Sequence, residues 1–484
     1  MSTAIVWLRR DLRLADHPAL HHALSQHLRV VLIYIHAPDE LVPWADGAAS
    51  HWWLHHSLAA LQASVAAKGG QLLLREGASI AVLQALIAET AATAVYWSRC
   101  YEPAAIARDQ AVKTALRAQG ITAESFNASL LFEPWQLKTK AVEPYRVFSP
   151  LWRNAEPQLG NLPAPLPAPD ALPPLPAPPP SLPLERLGLL PKLPWAAAFP
   201  QRWTPGEAGA LARLAEFADG TIVHYKQQQY LPALPATSGL SPHLHFGEIS
   251  PRQALAVARL ATAGASASAQ TNAGHFVREL GWREFSHHLL FHYPHTADKP
   301  MYEKFAAFPW RSAADYAHDL KAWQQGRTGV PIVDAGMREL WTTGWMHNRV
   351  RMIVASYLTK NLLIPWQAGA AWFWDTLVDA DLAQNSLGWQ WSAGCGADAA
   401  PYFRIFNPTL QGEKFDPDGA YTRHWVPELA KLGDQYLHRP WEAPSDARRA
   451  AGIALDSPYA KPIVDLMQSR DRALAAYERI KAAQ

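Results

Sequence analysis

PQLGNLPAPLPAPDALPPLPAPPPSLPLERLGLLPKLP, residues 157–194, places 14 prolines in 38 positions. Proline lacks an amide donor and fixes φ, so this stretch can supply neither a helix interior nor a central strand; it reads as an extended, semi-rigid connector. The sequence changes texture on its two sides. That divides the chain into residues 1–130, a proline-rich linker over 131–203, and residues 204–484.

Upstream of the linker, β-branched and apolar runs at Ala4–Leu8, Val30–Ile35, Gln71–Arg75 and Ala94–Trp97 alternate with amphipathic stretches such as Trp52–Lys68. Strand and helix in alternation predict a parallel sheet with helices on both faces. The first strand runs into VWLRRDLRL and not into G-x-G-x-x-G, so the domain is Rossmann-like α/β without the dinucleotide fingerprint. Downstream the periodicity becomes helical: GEAGAL from Gly206 opens one helix, His275–Phe291 forms another, and Val333–Leu363 one or two more. The second half is expected to be all-α.

At 484 residues the chain is long enough for two or three domains with their own cores, which excludes a single small binding module. No run approaches the roughly 18 apolar residues of a membrane span, and the start lacks a basic leader with a small-residue cleavage site. The expectation is a cytoplasmic, monomeric protein that does not enter a membrane. Two cysteines, Cys100 and Cys395, are too few for a disulfide framework or a four-cysteine metal cluster. A net charge of +2 means that any grip on nucleic acid must come from a local basic face. The 21 tryptophans exceed what packing one core asks for, and their indole N–H groups need partners.

Four segments carry candidate chemistry. Tyr225 with Thr237-Ser238-Gly239-Leu240-Ser241 sets hydroxyls and a glycine before the helix-compatible HLHFGEISPRQ, where hydroxyl and backbone N–H donors could meet a diphosphate; read alone it is an ordinary capped turn. In HFVRELGWREF, Glu279, Trp282 and Arg283 fall at i, i+3 and i+4 on one helical face, which alone describes a surface ion pair beside a core tryptophan. GWMHNRVRM places Trp345, Asn348, Arg349 and Met352 on one face, and the polar members of that stripe point to a lined pocket as much as to a core. In LVDADLAQNSLGWQWSAGCGADAAPYFRIFNP, Asp379 and Asp381 lack the further carboxylates a hard cation would want. They are suited to a ribose or ring N–H, or to Arg351. Trp389 and Trp391, two apart, serve two different partners. No metal site is expected.

Together, and in this order, VWLRRDLRL, GWMHNR, DAD followed by WQW, APYFRIFNP and the closing PIVDLMQSRDRALAAYERIK resemble the photolyase/cryptochrome family over essentially the whole chain. Within it the chain is similar to the microbial cyclobutane pyrimidine dimer (CPD) photolyases of class I and class III type, including the bacterial group nearest plant cryptochromes. The resemblance implies light-driven repair of UV-damaged DNA and FAD in the helical domain. It places the FAD phosphates near Thr237, Ser238, Gly239, Leu240 and Ser241, with Tyr225 alongside. Arg283, Asn348, Asp379, Asp381 and Asn385 would surround its rings and ribose, and Arg351 would pair with Asp379. Asn385 would face the flavin N5. For the lesion it implies Glu279, Trp282, Asn348, Met352 and Trp391, with Arg349 and Arg404 on flanking phosphates. A flipped dimer has a polar edge and apolar faces, and enzymes of this family are known base flippers. Trp389, Trp366 and Trp310 would form an electron chain to the surface, with Trp323 a substitute for its outer member.

The resemblance also implies a second, light-harvesting chromophore in the α/β domain, with methenyltetrahydrofolate ahead of 8-hydroxy-deazaflavin. YEPAAIARD has Ala104 and Ala105 where the enteric pterin-binding pattern has polar residues, and His51-Trp52-Trp53-Leu54-His55 offers either a different pterin site or a helix face packed on the sheet. No antenna residue is assigned. A cryptochrome photoreceptor and a (6-4) photolyase are the alternatives. Glu279, Trp282 and Asn385 together, and the absence of a long tail, argue against the first; a single histidine, His347, argues against the second.

Overall fold

The computed structural model describes residues 2–175, 177–399 and 403–482. Ala400, Pro401 and Tyr402 of the APYFRIFNP motif, and Pro176 of the linker, lie outside the described residues.

Five strands, β1 (Thr3–Leu8), β2 (Arg29–His36), β3 (Leu72–Glu76), β4 (Ala94–Ser98) and β5 (Thr122–Phe126), form one sheet in the order β3-β2-β1-β4-β5. All pairings are parallel. The sequence reading has four of these strands and not β5. TAESF alternates exposed and buried positions at the sheet edge, so it lacks the continuous apolar run that marks the buried strands.

Helices α1 (Pro18–Gln26), α2 (Ala48–Ala67), α3 (Ser79–Thr90) and α4 (Pro103–Ala118) connect them. Successive residues of β1 face opposite ways: Ala4, Val6 and Leu8 pack with α1 and α2, Ile5 and Trp7 with α3 and α4. Two covered faces explain why every residue of β1 is buried.

The proline-rich stretch crosses the α1/α2 side as a strap, tied by Leu172 N to Lys68 O (2.7 Å) and Leu182 N to Leu74 O (2.8 Å). Leu172, Leu184, Leu187 and Leu189 enter the same core as α2, and so do Phe199, Trp203, Phe246 and Trp345 from beyond it. Upstream of the prolines, helix α5 (Phe148–Ala155) packs instead into the helical half. The loop after β1 completes the joint. Leu14 N and Ala15 N donate to Glu207 (2.8 Å each), Arg13 donates to Gly247 O (2.8 Å), and Asp16 pairs with Arg252 (2.6 Å). Buried Glu248 accepts from Trp53 Nε1 (2.9 Å) and Gly206 N (2.7 Å) and binds His243.

In the helical half, the helix expected from His275 starts eight residues earlier, at Ala267, because Ser266 caps it, and it runs to His292. The Val333–Leu363 region is two helices, Pro331–Thr343 and Asn348–Ser356. They break at Gly344, whose φ of +69° favours glycine and whose Cβ position lies 2.7 Å from Phe199 and Val378. A π-helical turn, Tyr357–Asn361, follows, and then the helices Trp366–Thr376 and Leu382–Ala393. Among the described residues no helix is long and apolar enough to cross a membrane.

Candidate functional site

The Leu382–Ala393 helix is the hub: Ala267–His292, Asn348–Ser356 and Trp366–Thr376 all pack against it. Asp381 caps its start, accepting from Gln384 N (3.0 Å). Its other oxygen lies between His287 Nε2 (3.4 Å) and His245 Nδ1 (3.5 Å). Burial works against the carboxylate, but the two imidazoles outweigh it and hold it well below its usual range. Asp379 takes both oxygens to Arg351 (2.9 and 3.1 Å), the pairing expected from sequence. Asn385 donates Nδ2 to Ala370 O (3.0 Å). A carbonyl can only accept, so this bond fixes the amide and leaves Oδ1 for a donor elsewhere.

Arg283 anchors to Ser129 O (2.6 Å), and its neighbour Glu284 receives Leu131 N and Phe132 N (2.8 and 3.1 Å), which ties the start of the linker to this helix. In the hydroxyl loop, Gly239 has φ +64°, and Arg213 Nε, 2.7 Å from its Cβ position, donates to Ser238 O. Trp345 Nε1 donates to Ser241 Oγ (3.3 Å). Thr237 is half-buried and Leu240 buried, while Tyr225 packs edge-on against Phe217 and Phe276, its phenol pushed up by burial. Three buried nitrogens, His245 Nε2, Arg283 Nε and Trp389 Nε1, have no hydrogen-bond partner among the described residues. The Arg283 and Trp389 N–H groups are buried donors and want acceptors, which an acceptor-rich heterocycle would supply.

Met352, Trp391 and Arg404 line one crevice with Ser356 and Lys360. Trp391 Nε1 is held by Asp398 O (3.1 Å). Trp282 stacks face to face on Phe148, centroids 3.8 Å apart and planes 12° apart. Glu279, Trp282 and Asn348 lie outside the crevice lining itself, and Asn348 is exposed at the start of its helix. Burial pushes the Glu279 carboxyl up to about 7 against the pull of Arg278. Arg349 lies between the rings of Tyr230 and Phe415.

Trp389 is buried, with Phe373 (5.0 Å between centroids) and Trp323 (6.2 Å) edge-on against it. Trp366 is buried and Trp310 half-buried against Phe308. Trp323 does not suit an outer, surface member of a chain: it is fully buried and lies edge-on against buried Trp389. The sequence reading put it at the wrong end because spacing along the chain says nothing about depth.

A second cavity, about 420 Å³, opens at the ends of β1, β2 and β4, where the strand order reverses, and it is closed by His245, Trp374 and Leu382 from the helical half. Crevices at such a switch point are where parallel sheets bind ligands. Arg9 and Arg10, which follow β1, line it, each already paired: Arg9 with Asp109 (2.8 Å), Arg10 with Asp46. Ala104 and Ala105 lie in its wall, where their small side chains leave the space open. His51 also faces it. Trp52 and Trp53 do not: their rings pack against Phe199, Trp203 and Phe246 from beyond the strap, in the core that the helix shares with one face of the sheet. The sequence reading missed this cavity, although RRD directly after the first strand was the signal for it. It also passed over Arg213, His245, His287 and Tyr230.

Two family models match the chain: "DNA photolyase" over residues 4–173 and "FAD binding domain of DNA photolyase" over residues 276–479. The chain is 50% identical over 483 residues to a deoxyribodipyrimidine photo-lyase of Agrobacterium fabrum, covering 99% of this chain and 98% of that protein. It is 39% identical to cryptochrome-2 of Arabidopsis thaliana, covering 99% of this chain and 79% of the cryptochrome. Among solved structures, a bacterial class III photolyase from Agrobacterium tumefaciens superposes with a TM-score of 0.94 at 48% identity, over 100% of this chain and 98% of that one.

Proposed function

The chain belongs to the photolyase/cryptochrome family, and from that premise we propose that it is a CPD photolyase of class III type, which splits cyclobutane pyrimidine dimers in UV-damaged DNA. Bound and reduced, FAD supplies on illumination the electron that opens the cyclobutane ring and takes it back afterwards. The protein's part is to hold, orient and exclude water. Thr237, Ser238, Gly239 and Ser241, with Arg213 behind them, would receive the diphosphate. Arg283, Arg351, Asp379 and Asp381 would fix the rings and ribose.

The observation that carries this reading is the Asn385 amide, locked by Ala370 so that Oδ1 is left to accept. An acceptor that stays neutral suits a flavin N5 that bears a hydrogen, as the reduced cofactor does. Trp282 and Trp391 offer apolar walls to a flipped dimer. Glu279, held up to about 7 by burial, keeps a proton to donate to a pyrimidine carbonyl as negative charge gathers there. Arg349 and Arg404 serve the flanking phosphates. Reduced holoenzyme illuminated with DNA that carries one thymine dimer should return the two monomers. Recovery equal to the enzyme-free control overturns the reading, and recovery only in a parallel assay on DNA that carries a (6-4) lesion moves the protein to that activity.

The switch-point cavity is the site we assign to a light-harvesting chromophore, with methenyltetrahydrofolate as its occupant. Its size suits such a molecule, and the Trp374 ring offers a flat surface. Chromophore extraction from the purified protein, with mass measurement, distinguishes it from a deazaflavin.

A further inference from the structure

Arg349 is held in an unusual way. Its guanidinium carbon lies 4.8 Å from the ring centre of Tyr230 and 4.6 Å from that of Phe415. The two rings are 6.2 Å apart at 52°, so they form an open vee around the cation. Phe415 is nearly buried while Tyr230 is 41% exposed. The Arg349 Nε is buried with no hydrogen-bond partner among the described residues. Burial, and Arg404 nearby, weigh against its charge, with only Tyr230 acting in its favour. A cation in this position is partly stripped of water and restricted in rotamer, and its donors are not spent on a carboxylate.

An arginine on the protein surface is ordinarily free to swing, and a phosphate that binds it must first order it. Here two aromatic faces do the ordering in advance, at the modest gain of cation–π contacts. Tyr230 comes from the short turn after Tyr225 and Phe415 from the Pro408–Phe415 helix, so segments far apart in sequence are needed to build the vee.

We propose that Tyr230, with Phe415 behind it, is a positioning residue for DNA binding: it preorganises Arg349 to take one backbone phosphate beside the lesion. The proposal rests on the reading of Arg349 as a phosphate ligand. Tyr230 acts through the arginine and needs no contact with a base.

The test is binding of holoenzyme, in the dark, to a duplex with one thymine dimer, measured across a salt series. Arg349→Ala should weaken binding and lower the slope of log K against log salt by about 0.9, one phosphate's worth. Tyr230→Ala should weaken binding about fivefold, the scale of one cation–π contact, and lower the same slope. Tyr230→Phe, which keeps the ring, should restore both, and Tyr230→Ala added to Arg349→Ala should cost nothing more. Flavin content and melting temperature identify any variant that has merely failed to fold, and Tyr230→Phe then carries the comparison through its own slope, expected to equal wild type. A Tyr230→Ala that loses affinity at full slope, that keeps wild-type affinity, or that adds to Arg349→Ala overturns the proposal while leaving Arg349 on its phosphate. An Arg349→Ala with unchanged slope overturns both.

Discussion

The crevice around Trp391 and the cavity at the sheet ends touch the same helix, Leu382 lining one and Trp391 the other, yet they treat charge in opposite ways. At the sheet ends each arginine is paired, Arg9 with Asp109 and Arg10 with Asp46. Among the residues assigned to the lesion, Glu279 sits half-buried with its carboxyl pushed up to about 7 and Arg349 rests on rings. Paired charges make a rigid wall that a resident molecule enters once. Unspent donors wait for a charged substrate that comes and goes. The nine-residue step from Leu382 to Trp391 spans about 14 Å of helix, with Asn385 between them, so one rigid element fixes the separation of the two sites.

The comparison breaks most visibly at Glu279. Replacing it with alanine should cut repair per absorbed photon, because a donor to a developing charge is lost, while flavin is retained. The proton decides the mechanism. With its value raised from 4.5 to about 7, the acid form is present below about pH 7 and is lost above it, so the quantum yield should fall from pH 6 to pH 8. Glu279→Gln, neutral throughout, should give a flat profile. The same shift makes a stability statement: the folded state favours the proton, so stability is full below pH 4.5 and drops as pH rises through 7. The Gln variant should therefore melt above wild type at pH 8 and not at pH 4. A yield independent of pH in the wild type would remove Glu279 as a donor.

At the other cavity, Ala104→Phe should fill the space left by the small side chain. The absorption band of the second chromophore should disappear and the action spectrum shrink to that of the flavin, with FAD content unchanged. Breaking the wall itself tests the paired side of the comparison. Asp46→Asn strands Arg10 in a part-buried site and should cost about 3 kcal/mol, whereas Arg349→Ala, which strands no partner carboxylate, should lose only its ring contacts, about 1 kcal/mol. Equal melting temperatures for the two variants would erase the distinction.

The sequence made the architecture legible where pattern is strong: four of five strands, the all-α second half, and the strap announced by its prolines. It failed at β5, where an edge strand needs no apolar run, and at Trp323, where depth is set by tertiary packing. Asp379 with Arg351 could be read from residue types, because a carboxylate and a guanidinium suit each other wherever they meet. His245 and His287 around Asp381 could not, since each comes from a separate helix and neither carries a local mark. Tyr230 was invisible for the same reason: a tyrosine in a polar turn becomes informative only once Phe415 and Arg349 close around it.

The smallest effect belongs to Lys360, the buried amine on the crevice floor. It lies on the π-helical turn, donates to Ala393 O (2.9 Å) at the end of the Leu382–Ala393 helix, and sits 3.3 Å above the Phe403 ring. A cation there complements the helix terminus and steadies the turn that follows Trp391. Burial opposes it, pulling its proton affinity well below the ordinary 10.5 with only the Cys395 thiol in support. The cap contributes about 1 kcal/mol and the buried charge takes some of it back, so Lys360→Met should shift the melting temperature little in either direction. The sign should depend on pH. The unfolded chain keeps the proton over the window from the depressed value up to 10.5, and wild-type stability rises with pH across it. Methionine has no such dependence. Melting at pH 6 and pH 9 should thus show the variant relatively better at pH 6, and a difference that does not change with pH would mean that Lys360 stays charged in the fold.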